Sequence, residues 1–381
     1  MNKRIISVLT GTRAEYGILR PLLREIRDSD YLDLRVLVTG MHLLESHGNS
    51  YKDIEEDNFD LEKINMYLEN GEDLSISLSR AITNFNNYFV KNRPEILVVF
   101  GDRLEPLAAT LAASILNIPI AHISGGDKTD SGIIDESIRH SITRFSHLHF
   151  PETSNSAERL KKMGEEDWRI ILAGALEIDA ISQIEKVSKE FIFRKYNLDY
   201  NQPLIMCIQH SFNIEKDKAG DQIKETIAAL NESNIQSLII YPNNDEGSEL
   251  IINQLKKLDS SSIRIRKNIV HPDYINLLRN CTVLIGNSSS GIVEAPTFNV
   301  PVINIGKRNS GRENSGNVIF TNNSKEDILA ALDKCINDES YINEIRKIKN
   351  VYGGGSSAKT IVKTLESAEI NQTFLTKKIT Y

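Results

Sequence analysis

Short β-branched runs alternate with helical patterns through most of this chain, stop once, and then begin again. RIISVLT (4–10), LDLRVLVT (32–39), EILVVF (95–100) and IPIAHIS (118–124) have the length and composition of buried strands. Helical patterns over 18–28, 74–91 and 104–116 lie between them. Alternation of this kind calls for an α/β fold with a parallel sheet, because parallel neighbours need a crossover and the helix supplies it. Residues 174–200 interrupt the rhythm and read as a connecting helical region. The pattern resumes with PLIMCIQ (203–209), SLIIYP (237–242), CTVLIG (281–286) and VPVINIG (300–306), with helices near 219–231, 246–257 and 326–337. Two Rossmann-like halves are expected, with a site in the cleft between them, since open α/β sheets bind ligands beyond the carboxyl ends of their strands.

Length and charge narrow the partners. A chain of 381 residues has room for two domains, each with its own core. A formal net charge of −7 disfavours nucleic acid as a general partner, although a local basic patch can still hold a phosphate. The opening MNKRIISVLTGTRAEYG breaks into charge too soon for a signal peptide and reads as a first strand. No run approaches the ~18 apolar residues of a membrane span. Cys207, Cys281 and Cys335 are far apart and show no metal-ligand spacing, which suits a reducing cytoplasm.

Chemistry gathers at the strand ends. GTRAEYG follows the first strand, and Arg13 beside a helix N-terminus suits an anion, although an ordinary turn with a solvated arginine reads the same. GDRLEP follows the third, where Asp102 faces a cleft or caps the next helix; on spacing alone the cap is the better reading. AHISGGDKTDSGIIDESIRH (121–140) carries Asp127, Asp130, Asp135 and Glu136, with Arg139 one turn after Asp135 on a helix starting near that residue. Carboxylates in unlike environments can divide acid and base roles; Asp130 reads as a plain loop residue, and Asp135 reads equally as a helix cap. In the second half His210 ends a strand, as an acid–base or phosphate-binding candidate. IGNSSSGIVEAP (285–296) offers Ser289, Ser290 and Gly291 for a diphosphate, and Glu294 for the two hydroxyls of a ribose. Lys307, Arg308 and Arg312 cluster after the last of these strands, with none singled out. Neither GxxxxGK[ST] nor a GxGxxG after the first strand is present, which counts against a P-loop and a dinucleotide-dependent dehydrogenase.

Together GTRAEYG, TGMHL (39–43), GDRLEPLAA (101–109), AHISGG…DESIRHSITRFSHLHF (121–150), YPNND (241–245) and GNSSSGIVEAP resemble the hydrolysing UDP-N-acetylglucosamine 2-epimerases. The resemblance runs from about residue 4 to about 320. It implies a GT-B fold of two Rossmann-like domains around a central cleft. The expected boundaries are 1–180 with the sugar-side acid–base residues, 181–360 with UDP binding, and 361–381 as a helix and tail crossing back to the first domain. The implied reaction releases UDP by anti elimination to 2-acetamidoglucal, and water then adds with inversion at C2. UDP-N-acetylglucosamine would give N-acetylmannosamine for sialic acid. The alternative substrate is UDP-2,4-diacetamido-2,4,6-trideoxyglucose, for legionaminic acid. By position Asp102, Asp127, Asp135 and His210 match the family's catalytic residues. Arg13, Ser289 and Ser290 match its diphosphate contacts, Glu294 its ribose contact, and Tyr274 in HPDYINLL its uracil-lining segment. The family usually carries GGE where this chain has GGD, so Asp127 is a methylene shorter, a retraction of ~1 Å that matters for proton transfer. The resemblance implies no metal or cofactor, a nucleotide sugar as partner, and a homodimer. A GT-B glycosyltransferase and a nucleotide-sugar sensor are the rival readings; neither accounts for the carboxylate-rich segment.

Overall fold

The computed structural model describes residues 3–67, 73–128, 134–243 and 245–381. The chain forms two compact units: the first runs to Ala180 and takes in Tyr352–Tyr381, and the second spans Ile181–Val351.

The first unit holds a sheet of β1 (Arg4–Thr10), β2 (Leu32–Val38), β3 (Leu61–Lys63), β4 (Ile96–Phe100), β5 (Ile120–Ile123) and β6 (Leu148–Phe150). Its order is β3-β2-β1-β4-β5-β6, parallel throughout. Side chains alternate across β1. Ile6 and Val8 pack with Leu19, Leu22 and Ile26 of the first helix and with Ile361 and Leu365 near the C-terminus. Leu9 faces the other way, onto Phe85, Phe89 and the small residues Ala108, Ala109 and Ala112. The Ser357–Ser367 helix belongs here because its apolar face completes the first of these layers, while the Asp179 carboxylate accepts from its first N–H groups, Ser357 at 3.0 Å and Ala358 at 2.9 Å.

The tail NQTFLTKKITY does not lie loose on the surface. Arg169, wholly buried, donates to the carbonyls of Phe374 at 2.8 Å and of Thr373 and Thr376 at 3.1 Å. Lys377 then reaches the buried Glu165 at 2.8 Å. A buried guanidinium must find acceptors, and the tail's carbonyls supply them.

The second unit repeats the topology. Its strands are β7 (Ile205–Ile208), β8 (Ser237–Ile240), β9 (Ile263–Arg266), β10 (Val283–Gly286), β11 (Val302–Ile305) and β12 (Val318–Thr321). The order β12-β11-β10-β7-β8-β9 is again all parallel. In each sheet the chain order reverses once, between β1 and β4 and between β7 and β10. That is where a doubly wound sheet opens a crevice for ligand.

Candidate functional site

At the first switch point Thr12 caps the Arg13–Arg27 helix by accepting from Glu15 N at 3.3 Å. The helix therefore opens at Arg13 rather than near 18, and Arg13 and Glu15 sit in its first turn. Arg13 is exposed and pairs with Asp53 at 2.9 Å. Glu15 turns inward: Oε2 accepts from Gly11 N at 3.2 Å, and Oε1 is buried with no partner. Burial, reinforced by the Glu105 charge, pushes its pKa up to about 8.

Asp102 is not a cap. The Leu104–Ile115 helix starts from Arg103 and has no side-chain cap bond, while the Asp102 carboxylate accepts from Arg139 Nη2. Arg139, on the Ile134–Phe145 helix, is only 5% exposed, and a guanidinium so deep needs several acceptors. Its Nη1 donates to Glu136 Oε2 at 2.9 Å and to the Asp127 carbonyl at 3.0 Å. One side chain thus ties together the segments that follow β4 and β5 and the helix after them. The expected i,i+4 partnership with Asp135 gives way to these bonds. Asp135 lies inside the helix's first turn, and burial, followed by the Asp102 charge, raises its pKa. The Asp127 carboxylate accepts from Ser156 Oγ at 2.6 Å, at the start of the Ser154–Lys162 helix. Asp130 lies outside the described residues.

A pocket of about 500 Å³ opens beside these groups. Its lining is mixed: Asp135, Arg103, Glu105, Tyr67, Ser46, His47 and Ser77 are polar, and Met41, Leu44, Leu74, Leu104, Ile134 and Ile138 apolar. Arg103 holds the buried Glu105 with two bonds, at 3.2 and 3.1 Å.

The second unit's switch point is built from amides, hydroxyls and one imidazole. Asn287 brackets His210, accepting from its N–H at 2.6 Å and donating to its carbonyl at 2.9 Å. The close pairing of the two segments requires Gly286, where a Cβ would stand 1.9 Å from the Ile208 carbonyl oxygen. His210 Nδ1 accepts from Asn243 N at 3.0 Å, so the neutral ring carries its proton on Nε2. Burial, with the Arg308 charge, pushes the ring down to about 4. At neutral pH His210 is therefore a neutral donor through Nε2, not a base there.

Ser290 Oγ donates to Glu294 Oε2 at 2.5 Å and accepts from the Tyr274 hydroxyl. Its proton is thus already engaged, which leaves the exposed Ser289 hydroxyl as the freer donor of the two. Gly291 is buried, and a Cβ there would stand 2.8 Å from Val302 Cγ1; its smallness serves packing on β11. The basic cluster after β11 splits. Arg308 donates to the Asn287 carbonyl at 3.2 Å and to Asp245 at 3.4 Å, whereas Lys307 lines a separate pocket with Asp327 and Lys334.

Comparison with known proteins now bears on both clusters. Residues 24–366 match the family described as UDP-N-acetylglucosamine 2-epimerase. The chain belongs to that epimerase family. A Legionella pneumophila protein named UDP-N,N'-diacetylbacillosamine 2-epimerase (hydrolyzing) is 35% identical over 381 residues, covering 99% of each chain. A Neisseria meningitidis serogroup B protein named UDP-N-acetylglucosamine 2-epimerase is 32% identical over 332 residues, 87% of each. Among solved structures, the Neisseria meningitidis UDP-GlcNAc 2-epimerase bound to UDP-GlcNAc superposes with a TM-score of 0.81 at 20% identity, covering 95% of this chain and 99% of that one. At that identity the likeness speaks for the fold, which is GT-B-like.

For this epimerase the sequence reading missed several groups. Glu15 and Glu105 sit at strand ends like the candidates that were picked but are fixed by burial, and Arg308, named only within a basic cluster, is singled out by its bonds to the Asn287 carbonyl and Asp245. One signal was available: Thr12-x-x-Glu15 is a capping pattern that places the helix start. No helix among the described residues is long and apolar enough to cross a membrane.

Proposed function

We propose that this chain is a hydrolysing 2-epimerase, which converts a UDP-linked 2-acetamido sugar and water into UDP and the free 2-epimer. In this reading, loss of the C2 proton and of UDP from C1 gives the glycal. Water then supplies a hydroxyl to C1 and a proton to the opposite face of C2. Inversion needs two proton carriers, one for each face of the sugar ring, and several carboxyl groups in unlike environments can supply them. The observation that carries the reading is the Asp102 carboxylate held on the buried Arg139, which also takes the Asp127 backbone carbonyl, with Asp135 on the same helix raised by burial and then by the Asp102 charge. Asp135, pushed toward its neutral form, is suited to delivering a proton, and Asp102 or Asp127 to removing one. In the second unit His210 Nε2–H and the Ser289 hydroxyl supply donors for the phosphates, and Glu294 accepts from the ribose.

Of the two substrates, UDP-2,4-diacetamido-2,4,6-trideoxyglucose is the better supported. The apolar residues Leu74, Ile134 and Ile138 in the pocket with Asp135 suit a 6-deoxy, doubly N-acetylated sugar, and the Legionella relative that matches 99% of the chain is named for that chemistry. UDP-N-acetylglucosamine is the second reading, favoured by the Neisseria relative. Initial-rate assays of UDP release from each nucleotide sugar test the choice. The expected result is a kcat/KM at least ~10-fold higher for the diacetamido sugar, the order of discrimination that one or two lost apolar contacts give. A preference for UDP-N-acetylglucosamine would return the assignment to the second reading, and release from neither would end the proposal.

A further inference from the structure

His122 touches three segments at once. It sits on β5 and is wholly buried together with Thr143. Its Nε2 stands 2.8 Å from the Gly101 carbonyl oxygen, and its Nδ1 3.1 Å from Thr143 Oγ1. A carbonyl only accepts, so Nε2 bears the ring proton and the Thr143 hydroxyl donates to Nδ1. Burial pushes the ring down to about 3, which keeps this tautomer neutral at physiological pH. The third contact is with Gly125, where a Cβ would stand 2.9 Å from His122 Nδ1 and 3.1 Å from Thr143 Oγ1. The backbone therefore passes directly over the His122–Thr143 pair.

Each of these partners leads to a carboxylate. Gly101 precedes Asp102, Gly125 lies two residues before Asp127, and Thr143 is on the helix that carries Asp135 and Arg139. Satisfying the two ring nitrogens accounts for a donor and an acceptor, but not for both of them, and the backbone above, belonging to carboxylate-bearing segments. We propose that His122 is a positioning residue, which sets the Asp102, Asp127 and Asp135 segments against one another through Gly101, Gly125 and Thr143. This rests on those carboxylates being the proton carriers. Displacements of ~1 Å at such groups can cost ~100-fold in rate, so a framing residue beneath all three has leverage over turnover without touching substrate.

The test uses two substitutions and their conservative partners. Thr143→Val removes the hydroxyl at nearly unchanged shape, and Thr143→Ser restores it. His122→Asn is too short to reach Gly101 O, whereas His122→Gln carries an N–H near the Nε2 position. Turnover of UDP-2,4-diacetamido-2,4,6-trideoxyglucose should fall ~10- to 100-fold in kcat for H122N and T143V, with KM within about twofold. H122Q should fall less, and T143S should recover most of the rate. In parallel, hydrogen exchange of the full-length protein should rise together in peptides covering 99–107, 121–128 and 134–145, in both H122N and T143V. Wild-type kcat in both variants would overturn the proposal, and so would exchange that rises only around the mutated residue. A wild-type protein that releases no UDP would sink the carboxylate reading alone, and the exchange experiment would still decide whether His122 frames the three segments.

Discussion

The two units share one topology and differ in what they hang from it. Each sheet reverses its strand order once and places candidate residues after its two central strands, and in the first unit after the neighbouring β5 as well. The first unit fills that position with carboxylates and guanidinium groups: Asp102 on the buried Arg139, the buried Glu105 on a half-exposed Arg103, and Glu15 half unpartnered. The second fills it with Asn287, a run of serines, a tyrosine–serine–glutamate chain, one neutral imidazole and the ion pair of Arg308 with Asp245. Topology chooses the place, and side chains choose the chemistry. Several carboxylates in unlike environments suit proton transfer, whereas mostly neutral donors with one arginine suit the holding of a nucleotide.

The contrast predicts a separation of effects. Asp102→Asn should lower turnover by about 1,000-fold while leaving UDP affinity within twofold, measured by kinetics and calorimetry; a matching loss of UDP affinity would break the division. His210→Ala should cost about 100-fold in kcat and His210→Gln distinctly less, because the glutamine amide replaces a neutral donor. Equal losses in the two would instead point to a base. Glu294→Ala should weaken UDP about tenfold, the worth of one charge-assisted contact, with little change in the rate at saturation.

The smallest effect concerns pH. Burial depresses His42 and His147 to about 4, His122 to about 3, and His149 as well, all in the first unit; His210, at about 4, is its counterpart in the second. Each is neutral when folded, so between about pH 6.5 and those lowered values the unfolded chain binds more protons. The stability concerned is fully present above about 6.5 and is lost as pH falls through this window. Glu15 has the opposite sign: its stabilisation is full below about 4.5 and fades as pH rises toward 8. Hydrogen exchange at pH 7 and pH 4.5 should therefore show the first unit losing protection before the second. Equal losses would mean that the buried histidines do not govern acid stability.

How much was legible follows from where each signal lies. β1, β2, β4, β5, β7, β8, β10 and β11 are apolar runs of useful length and were readable. The edges were not: LEK (61–63) and VIFT (318–321) are partly exposed, IRIR (263–266) interleaves arginine, and LHF (148–150), though buried, is three residues long. Site candidates adjacent to a strand end could be found from the string alone. The bonds of Arg139 could not, because helical spacing compares a residue only with its own helix, while this guanidinium reaches Asp102 across 37 positions. The tail's anchor was hidden for the same reason: Arg169 grips it from about 200 residues away.

The central claim, elimination followed by hydration, is tested most directly by turnover in D2O with proton NMR of the released sugar. The account predicts UDP together with a free 2-epimer bearing deuterium at C2, because the proton removed there exchanges with solvent before another is returned. Free sugar with unchanged configuration and an undeuterated C2 would mean simple hydrolysis, and would contradict the account.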